Sequence, residues 1–188
     1  GITYFMADMA REGVTVRPIH KMTGESGFNE VFLEDVVIPD NHRIDDVGAG
    51  WKVAMSTLTS ERGAAAGVGA VASSESPLTA VLQLIELAKT TKRNGITVWD
   101  DPVARDRIVN VYVRIEATMQ NARRTRIKAL NGGAMRLPLQ GKVVGSEIAQ
   151  ELNEIALSVL GLKSSLYVGD EHAIDDGKWA LGYMNTYT

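Results

Sequence analysis

The spacing of apolar residues changes once along this chain, at about Gly50, and this change limits the folds that the chain can adopt. Before residue 47, apolar residues alternate with other residues in short runs, as at Ile2, Tyr4 and Met6, which is the period of a β-strand. After Gly50 they recur at the spacing of an α-helix. Strands followed by a run of helices disfavour a doubly wound sheet, because that fold needs the two to alternate. The pattern predicts an α+β protein in which strands precede a bundle of antiparallel helices.

Further strand signals lie in the first part of the chain. Residues 14–18 alternate after a turn at Gly13. Residues 30–33 form a second apolar run, which is predicted to continue through an acidic pair into residues 36–38. Pro39 then breaks the pattern.

Two proline signals predict where helices begin. Ser76-Pro77 and Asp101-Pro102 each place a capping residue directly before a proline, and proline suits the first position of a helix. Pro138 precedes a further helical stripe. The residues predicted to face the core are Leu78, Val81, Leu82, Ile85, Ile108, Val111, Ile115, Met119, Ala122, Val144, Ile148, Leu152, Ile155 and Val159.

Dipeptides that contain glycine predict where helices end. Asn94-Gly95 is expected to end the first of these helices and Gly132-Gly133 the second. From Asp170 onward the helical pattern is weaker. The short turns between long helices favour antiparallel neighbours.

The composition excludes several classes of function. The net charge of −3 gives no general attraction to nucleic acid or acidic lipid, and no apolar run approaches the roughly 20 residues of a membrane span. The absence of cysteine excludes disulfides and thiolate catalysis and fits a reducing, cytoplasmic compartment. His20, His42 and His172 lack metal-ligand spacing, so no metal site is predicted. Because the chain does not begin with methionine, we expect it to be a piece of a longer protein.

Glu61 is the carboxylate on which the functional interpretation depends. It shares a predicted helical face with Val53, Ala54 and Leu58. If this face is turned to an apolar interior, desolvation raises the pKa of Glu61 toward that of a general base at neutral pH. Alternatively, Glu61 is a surface charge that pairs with the adjacent Arg62. The pattern alone leaves both interpretations open.

Several motifs follow one another in a specific order between residues 8 and 63. They read GVTVRPI at 13–19, KMTG at 21–24, FNEVFLEDVVIP at 28–39, GAGWKVAM at 48–55 and LTSER at 58–62. In this order and spacing they resemble the acyl-CoA dehydrogenase family. The remainder of the chain is compatible with the family and carries weaker motifs.

The resemblance implies a particular domain organisation. Residues 1–47 would be the end of a middle β domain, and therefore a partial antiparallel β domain. Residues 48–188 would form most of the C-terminal domain, an antiparallel four-helix bundle that is incomplete at its C-terminus.

The resemblance also implies a reaction, a cofactor and partners. The reaction is FAD-dependent α,β-dehydrogenation of an acyl-CoA thioester, in which a glutamate removes the α-proton and the β-hydride passes to flavin N5. Glu61 in LTSER matches the base of those members that carry it on the first helix of the C-terminal domain, and Arg62 would bind or orient the substrate. The implied partners are an electron-transfer flavoprotein and further copies of the chain, as a dimer or tetramer.

The chain departs from the family at two cofactor-binding motifs. Thr91 stands where the family has an arginine, so Arg93, or Lys92, is expected to take over that cofactor contact. Only Gly161 survives from the family's Gln-x-x-Gly-Gly stretch. Arg93 and Gly161 are therefore the candidate cofactor-binding residues.

Two alternatives remain beside the dehydrogenase. The departures would suit a non-catalytic or half-site subunit of a heteromeric acyl-CoA dehydrogenase. A flavin monooxygenase on the same scaffold is a third possibility, although it would not need Glu61 as an α-proton base.

Overall fold

The structure is a computed structural model that describes residues 1–65, 76–124, 127 and 137–187. The side chains of residues 61–65 and 137–139 lie outside the described part. The chain divides into two compact units, Gly1–Glu61 and Arg62–Thr188.

The first unit contains short antiparallel strand pairs. Strand β1 (Tyr4–Phe5) pairs with β4 (Arg43–Ile44), and β2 (Val14–Ile19) pairs with β3 (Phe28–Leu33) over their full lengths. Small antiparallel sheets are thus present where the alternating pattern predicts strands.

The predicted continuation of the second apolar run into residues 36–38 is wrong. Strand β3 ends at Leu33, and Asp35 adopts a left-handed backbone with φ of 52°, which turns the chain out of the sheet. Residues 36–38 are not paired in a sheet. Instead, the carbonyl of Val37 accepts a hydrogen bond from the Arg11 side chain.

The second unit is built from helices. Helix α1 (Gly50–Ala65) lies mostly in the first unit, and the second unit contains α2 (Pro77–Thr90), α3 (Pro102–Arg124), α4 (Leu137–Leu160) and α5 (Lys178–Asn185). The predicted starts at Pro77 and Pro102 are confirmed. Ser76 Oγ accepts from the Thr79 amide at 3.2 Å, and Asp101 Oδ1 accepts from the Val103 amide at 2.9 Å, so each helix has a capped first turn.

The core of the second unit lies between α2, α3 and α4, with α5 packed against α4. Most residues of the predicted stripes are buried there or packed against it. Two of them are exceptions. Leu82 is 49% exposed while Leu84 and Leu87 are buried, and Ala122 is half-buried outside this core. The buried apolar residues are Val81, Leu84, Leu87, Ala88, Val98, Ile108, Val111, Ile115, Ile148, Leu152, Ile155, Ala156, Val159 and Trp179.

The sequence predicts that Asn94-Gly95 ends a helix, but this prediction is wrong. In the structure the pair forms the turn of a hairpin. Helix α2 ends at Thr90, and the pair joins β5 (Lys92–Arg93) to β6 (Ile96–Thr97). Both turn residues have positive φ, 52° at Asn94 and 86° at Gly95, which is the geometry of a two-residue type I′ hairpin. The same dipeptide serves helix ends and such turns, so the local sequence does not distinguish them.

The chain after Asp170 is partly helical. A 3₁₀ turn at Ile174–Gly177 leads into α5, so the weaker helical prediction is confirmed from Lys178. The predicted helix end at Gly132-Gly133 lies outside the described residues. The four-helix bundle stays a prediction, because the described packing is that of α2, α3 and α4 around one core with α5 against α4.

Within the described part of the chain, the helices are too short or too polar to cross a bilayer.

Candidate active site

The first turn of α1 is held against the start of the chain. The Gly50 amide donates to the Ile2 carbonyl at 2.8 Å, and the Gly48 amide donates to Thr3 Oγ1 at 3.1 Å. A Cβ atom on Gly50 would meet the Ile2 carbonyl oxygen at 2.7 Å. Glycine is therefore needed at this position, and its close approach fixes where the helix that carries Glu61 begins.

Two exposed ion pairs lie on the segment that leads into α1. Arg43 holds Asp40 through a two-point contact, with Nε–Oδ1 at 2.9 Å and Nη2–Oδ2 at 3.1 Å. Lys52 Nζ lies 2.9 Å from Asp45 Oδ2. Hydrogen bonding to Arg43 lowers the pKa of Asp40, and hydrogen bonding to Lys52 lowers the pKa of Asp45.

The face of α1 that leads to Glu61 is only partly buried. Val53 and Ala54 are half-buried, whereas Leu58, one turn before Glu61, is 40% exposed. The expected apolar face is thus covered in the first turns of the helix and open at Leu58.

The structure does not describe the carboxylate itself. The backbone of Glu61 and Arg62 lies in α1, but both side chains are outside the described residues. The roles of Glu61 as base and of Arg62 in substrate binding therefore stay predictions.

The structure brings together the two candidate cofactor residues, Arg93 and Gly161. Arg93 Nη2 donates to the carbonyl of Ser158 and, at 3.4 Å, to that of Val159. The same nitrogen lies 4.0 Å from the position that a Cβ atom on Gly161 would occupy. Gly161 leaves α4 with a φ of 60°, a conformation that disfavours residues with a side chain.

This contact joins the β5–β6 hairpin to the C-terminal end of α4. The last carbonyls of a helix have no partner within the helix, and the helix dipole makes this end partly negative. The guanidinium of Arg93 donates hydrogen bonds to these carbonyls, and its positive charge offsets the negative end of the helix dipole. Sequence reasoning missed the part played by Ser158, because the contact spans 65 residues and no local pattern signals it.

Thr91, which the sequence predicts to stand at the position of the family's arginine, has a backbone role. Its amide donates to the Leu87 carbonyl at 2.9 Å and its carbonyl accepts from the Val98 amide at 2.8 Å. These bonds close the end of α2 and set the start of the hairpin that carries Arg93.

The described residues contain no group of three or more histidines, cysteines or carboxylates placed to hold a metal ion. His20 shares a hydrogen bond with Ser26 at 3.0 Å, and His172 lies 3.5 Å from Glu171.

Comparison with known families assigns the chain. The family described as "Acyl-CoA dehydrogenase, C-terminal domain" matches residues 48–182, which is more than half of the chain. The chain therefore belongs to the acyl-CoA dehydrogenase family.

Individual relatives agree with this assignment. The acyl-CoA dehydrogenase IpdE1 of Mycolicibacterium smegmatis is 33% identical over 165 residues, which cover 86% of this chain and 38% of that protein. The acyl-CoA dehydrogenase FadE34 of Mycobacterium tuberculosis is 44% identical over 87 residues, which cover 46% of this chain and 12% of that protein. The chain thus spans less than half the length of the curated relatives that it matches.

Solved structures share the fold. The ChsE4-ChsE5 complex from Mycobacterium tuberculosis contains a chain that matches with a TM-score of 0.75 and 20% identity, over 98% of this chain and 46% of that one. At this identity the likeness concerns the fold alone.

Proposed function

We propose that the protein containing this chain is an FAD-dependent acyl-CoA dehydrogenase that oxidises the α,β-bond of an acyl-CoA thioester. The observation that carries the proposal is the family match over residues 48–182, which includes the LTSER segment on α1. Residues 1–47 are proposed to end the middle β domain, and residues 48–188 to form most of a C-terminal four-helix bundle.

In this proposal Glu61 is the general base. It removes the α-proton of the thioester, and Arg62 orients the substrate or the neighbouring backbone. FAD, when bound, supplies the acceptor for the β-hydride. A carboxylate in this role works best when a partly apolar environment brings its pKa toward the working pH.

At the partly negative end of α4, the charge of Arg93 beside Gly161 is what would allow a phosphate-bearing cofactor to approach. Gly161 has no side chain and is exposed, so a ligand can approach its backbone closely. Arg93 adds positive charge beside it. We assign both residues to the part of the site that receives FAD.

The test is substitution of Glu61 in the full-length protein. Glu61→Gln keeps the size of the side chain but removes its basicity, so we expect anaerobic bleaching of the flavin by acyl-CoA to slow by about 100-fold or more. Ser60→Ala, at the exposed neighbouring position, is the matched control and should bleach at the wild-type rate. Normal bleaching by Glu61→Gln would show that the base lies elsewhere.

A second candidate is a half-site or non-catalytic subunit of a heteromeric dehydrogenase. It is favoured by Thr91, which replaces the family's arginine, and by the involvement of Arg93 with α4. The matching ChsE4-ChsE5 structure is itself a complex of two different proteins. In the leading proposal the partners are copies of the same chain and an electron-transfer flavoprotein. In this candidate a different chain is required.

A further inference from the structure

The contact between Arg93 and α4 occupies one particular nitrogen of the guanidinium. Nη2 carries two N–H groups, and it donates to the carbonyls of Ser158 and Val159. Within the described residues, Nε and Nη1 of Arg93 have no hydrogen-bond partner. The side chain is therefore tied to the protein at one corner of its planar group.

The use of Nη2 limits how Arg93 can bind an anion. A guanidinium grips a phosphate or carboxylate with a two-point fork, formed either by Nε with Nη2 or by Nη1 with Nη2. Both forks include Nη2. Because Nη2 already donates to the carbonyls of α4, a two-point fork would have to share Nη2 with them, whereas Nε and Nη1 stay available for single contacts with an anion.

The bonds lie at the point where the chain leaves α4. Ser158 and Val159 belong to the last turn of the helix, whose carbonyls lack partners within it. Gly161 follows directly with its left-handed backbone, and Leu162 is 98% exposed. The guanidinium thus holds the two carbonyls that come just before the exposed turn at Gly161–Ser165.

We propose that Arg93 is a positioning residue, which clamps the β5–β6 hairpin to the end of α4 and so sets the path of the Gly161–Ser165 turn. Its effect on the cofactor passes through that turn and not through a two-point contact with a phosphate. The cofactor part of this inference rests on the proposed function, whereas the clamp itself does not.

Amide hydrogen exchange of the full-length protein without added FAD tests the clamp. Charge-assisted hydrogen bonds are strong enough that Arg93→Ala should speed exchange about tenfold in the turn, including the Leu166 amide, which donates to the Lys163 carbonyl at 3.2 Å. Lys92→Ala is the control, because it removes the neighbouring cation of the same hairpin and leaves the clamp intact. Equal exchange in Arg93→Ala and wild-type protein would overturn the proposal.

The salt dependence of FAD binding separates the clamp from direct charge contact. An exposed contact between Arg93 and a phosphate of FAD would weaken as ionic strength rises. Removing such a contact should therefore make FAD binding less dependent on salt. With a clamp, Arg93→Ala lowers FAD affinity and keeps the wild-type salt dependence. A flattened salt dependence would overturn the indirect role. If wild-type protein binds no FAD, the proposed function fails, and the exchange measurement still decides the clamp.

Arg93→Lys keeps the experiment decisive if Arg93→Ala does not fold. Lysine preserves the charge, but its shorter chain ends in a single ammonium instead of a planar group. We expect exchange in the turn to rise by a smaller factor of about three, in keeping with a partly retained bond. No rise in Arg93→Lys would overturn the clamp.

Discussion

The loop before α5 contains residues in a left-handed backbone conformation, which most residues with a side chain disfavour. Asp175 and Asp176 have φ of 52° and Gly177 has φ of 70°, so three consecutive residues are left-handed. The loop is fixed by its own side chains: Asp175 Oδ2 accepts from Trp179 Nε1 at 2.8 Å and Asp176 Oδ1 from the Gly169 amide at 3.3 Å. Trp179 is buried, so this loop is tied to the core.

Gly177→Ala should destabilise the helical unit strongly. A Cβ atom there would meet the Val168 nitrogen at 2.5 Å and the Tyr167 carbonyl carbon at 2.6 Å, in addition to the unfavourable φ. We expect the free energy of unfolding to fall by about 3 kcal/mol, from backbone strain and overpacking together. Gly169→Ala is the matched control, because Gly169 also has positive φ but open space around it, and should lose only about 1 kcal/mol. Urea unfolding measures both variants, and equal losses would show that the close approach is relieved at no cost.

The pair of Arg43 and Asp40 predicts a dependence on acid. Because the pKa of Asp40 is lowered from 3.8 in the folded protein, its contribution to stability is present above pH 3.8 and is lost as the pH falls through the folded value. Carboxyl NMR titration should place the midpoint of Asp40 below pH 3.8. Arg43→Gln should raise this midpoint back to about pH 3.8. Lys52→Ala should leave the midpoint of Asp40 unchanged and raise that of Asp45. A midpoint that does not respond to Arg43→Gln would contradict the pairing.

At the scale of the elements, the sequence predicts features that depend on neighbouring residues but not contacts between distant segments. Proline and a capping residue mark the starts of α2 and α3 within a few positions, so these were predicted. The hairpin at Asn94 was misassigned because its turn residues also end helices. The Arg93 clamp joins positions 65 residues apart, which periodicity does not reveal. For Glu61, the sequence supplies a pattern and a resemblance, while its burial depends on packing that neither determines.

Ion pairs between α3 and α4 show that the two helices are antiparallel. Arg114 contacts Glu151 and, at 3.7 Å, Glu147, while Arg107 lies 3.8 Å from Glu154. The lower number on α3 pairs with the higher number on α4, as antiparallel helices require. These pairs lie on the exposed side of a contact whose core is apolar.

Arg114→Ala should therefore cost little stability. Both members of the pair with Glu151 are about a third or more exposed, so solvent screening limits their coupling to about 0.5 kcal/mol. A double-mutant cycle with Glu151→Ala measures this coupling by urea unfolding, and the coupling should shrink in high salt. The pair of Arg107 and Glu154, at longer distance, should couple more weakly. A coupling above about 2 kcal/mol would mean that the pair is shielded from water in the assembled protein.

At the scale of the whole molecule, the chain spans only part of the length of the relatives that it matches, 38% in the case of IpdE1 from Mycolicibacterium smegmatis. The candidate base lies on α1, whereas the candidate cofactor turn lies at the end of α4. A surface turn of this kind can serve a cofactor held mainly by residues outside this chain segment, either in the same polypeptide or in another subunit.

The composition of the assembly decides between the two proposed functions. If the leading proposal holds, the full-length protein expressed alone forms a homo-oligomer that retains stoichiometric FAD, because each copy supplies every residue that the site requires. Sedimentation combined with the visible flavin spectrum measures both properties on one sample. Recovery of FAD only after co-expression with a different chain would replace the leading proposal by the heteromeric one. A flavin band that is retained but never bleaches with acyl-CoA thioesters of differing size would remove dehydrogenation and point to oxygen chemistry on the same scaffold.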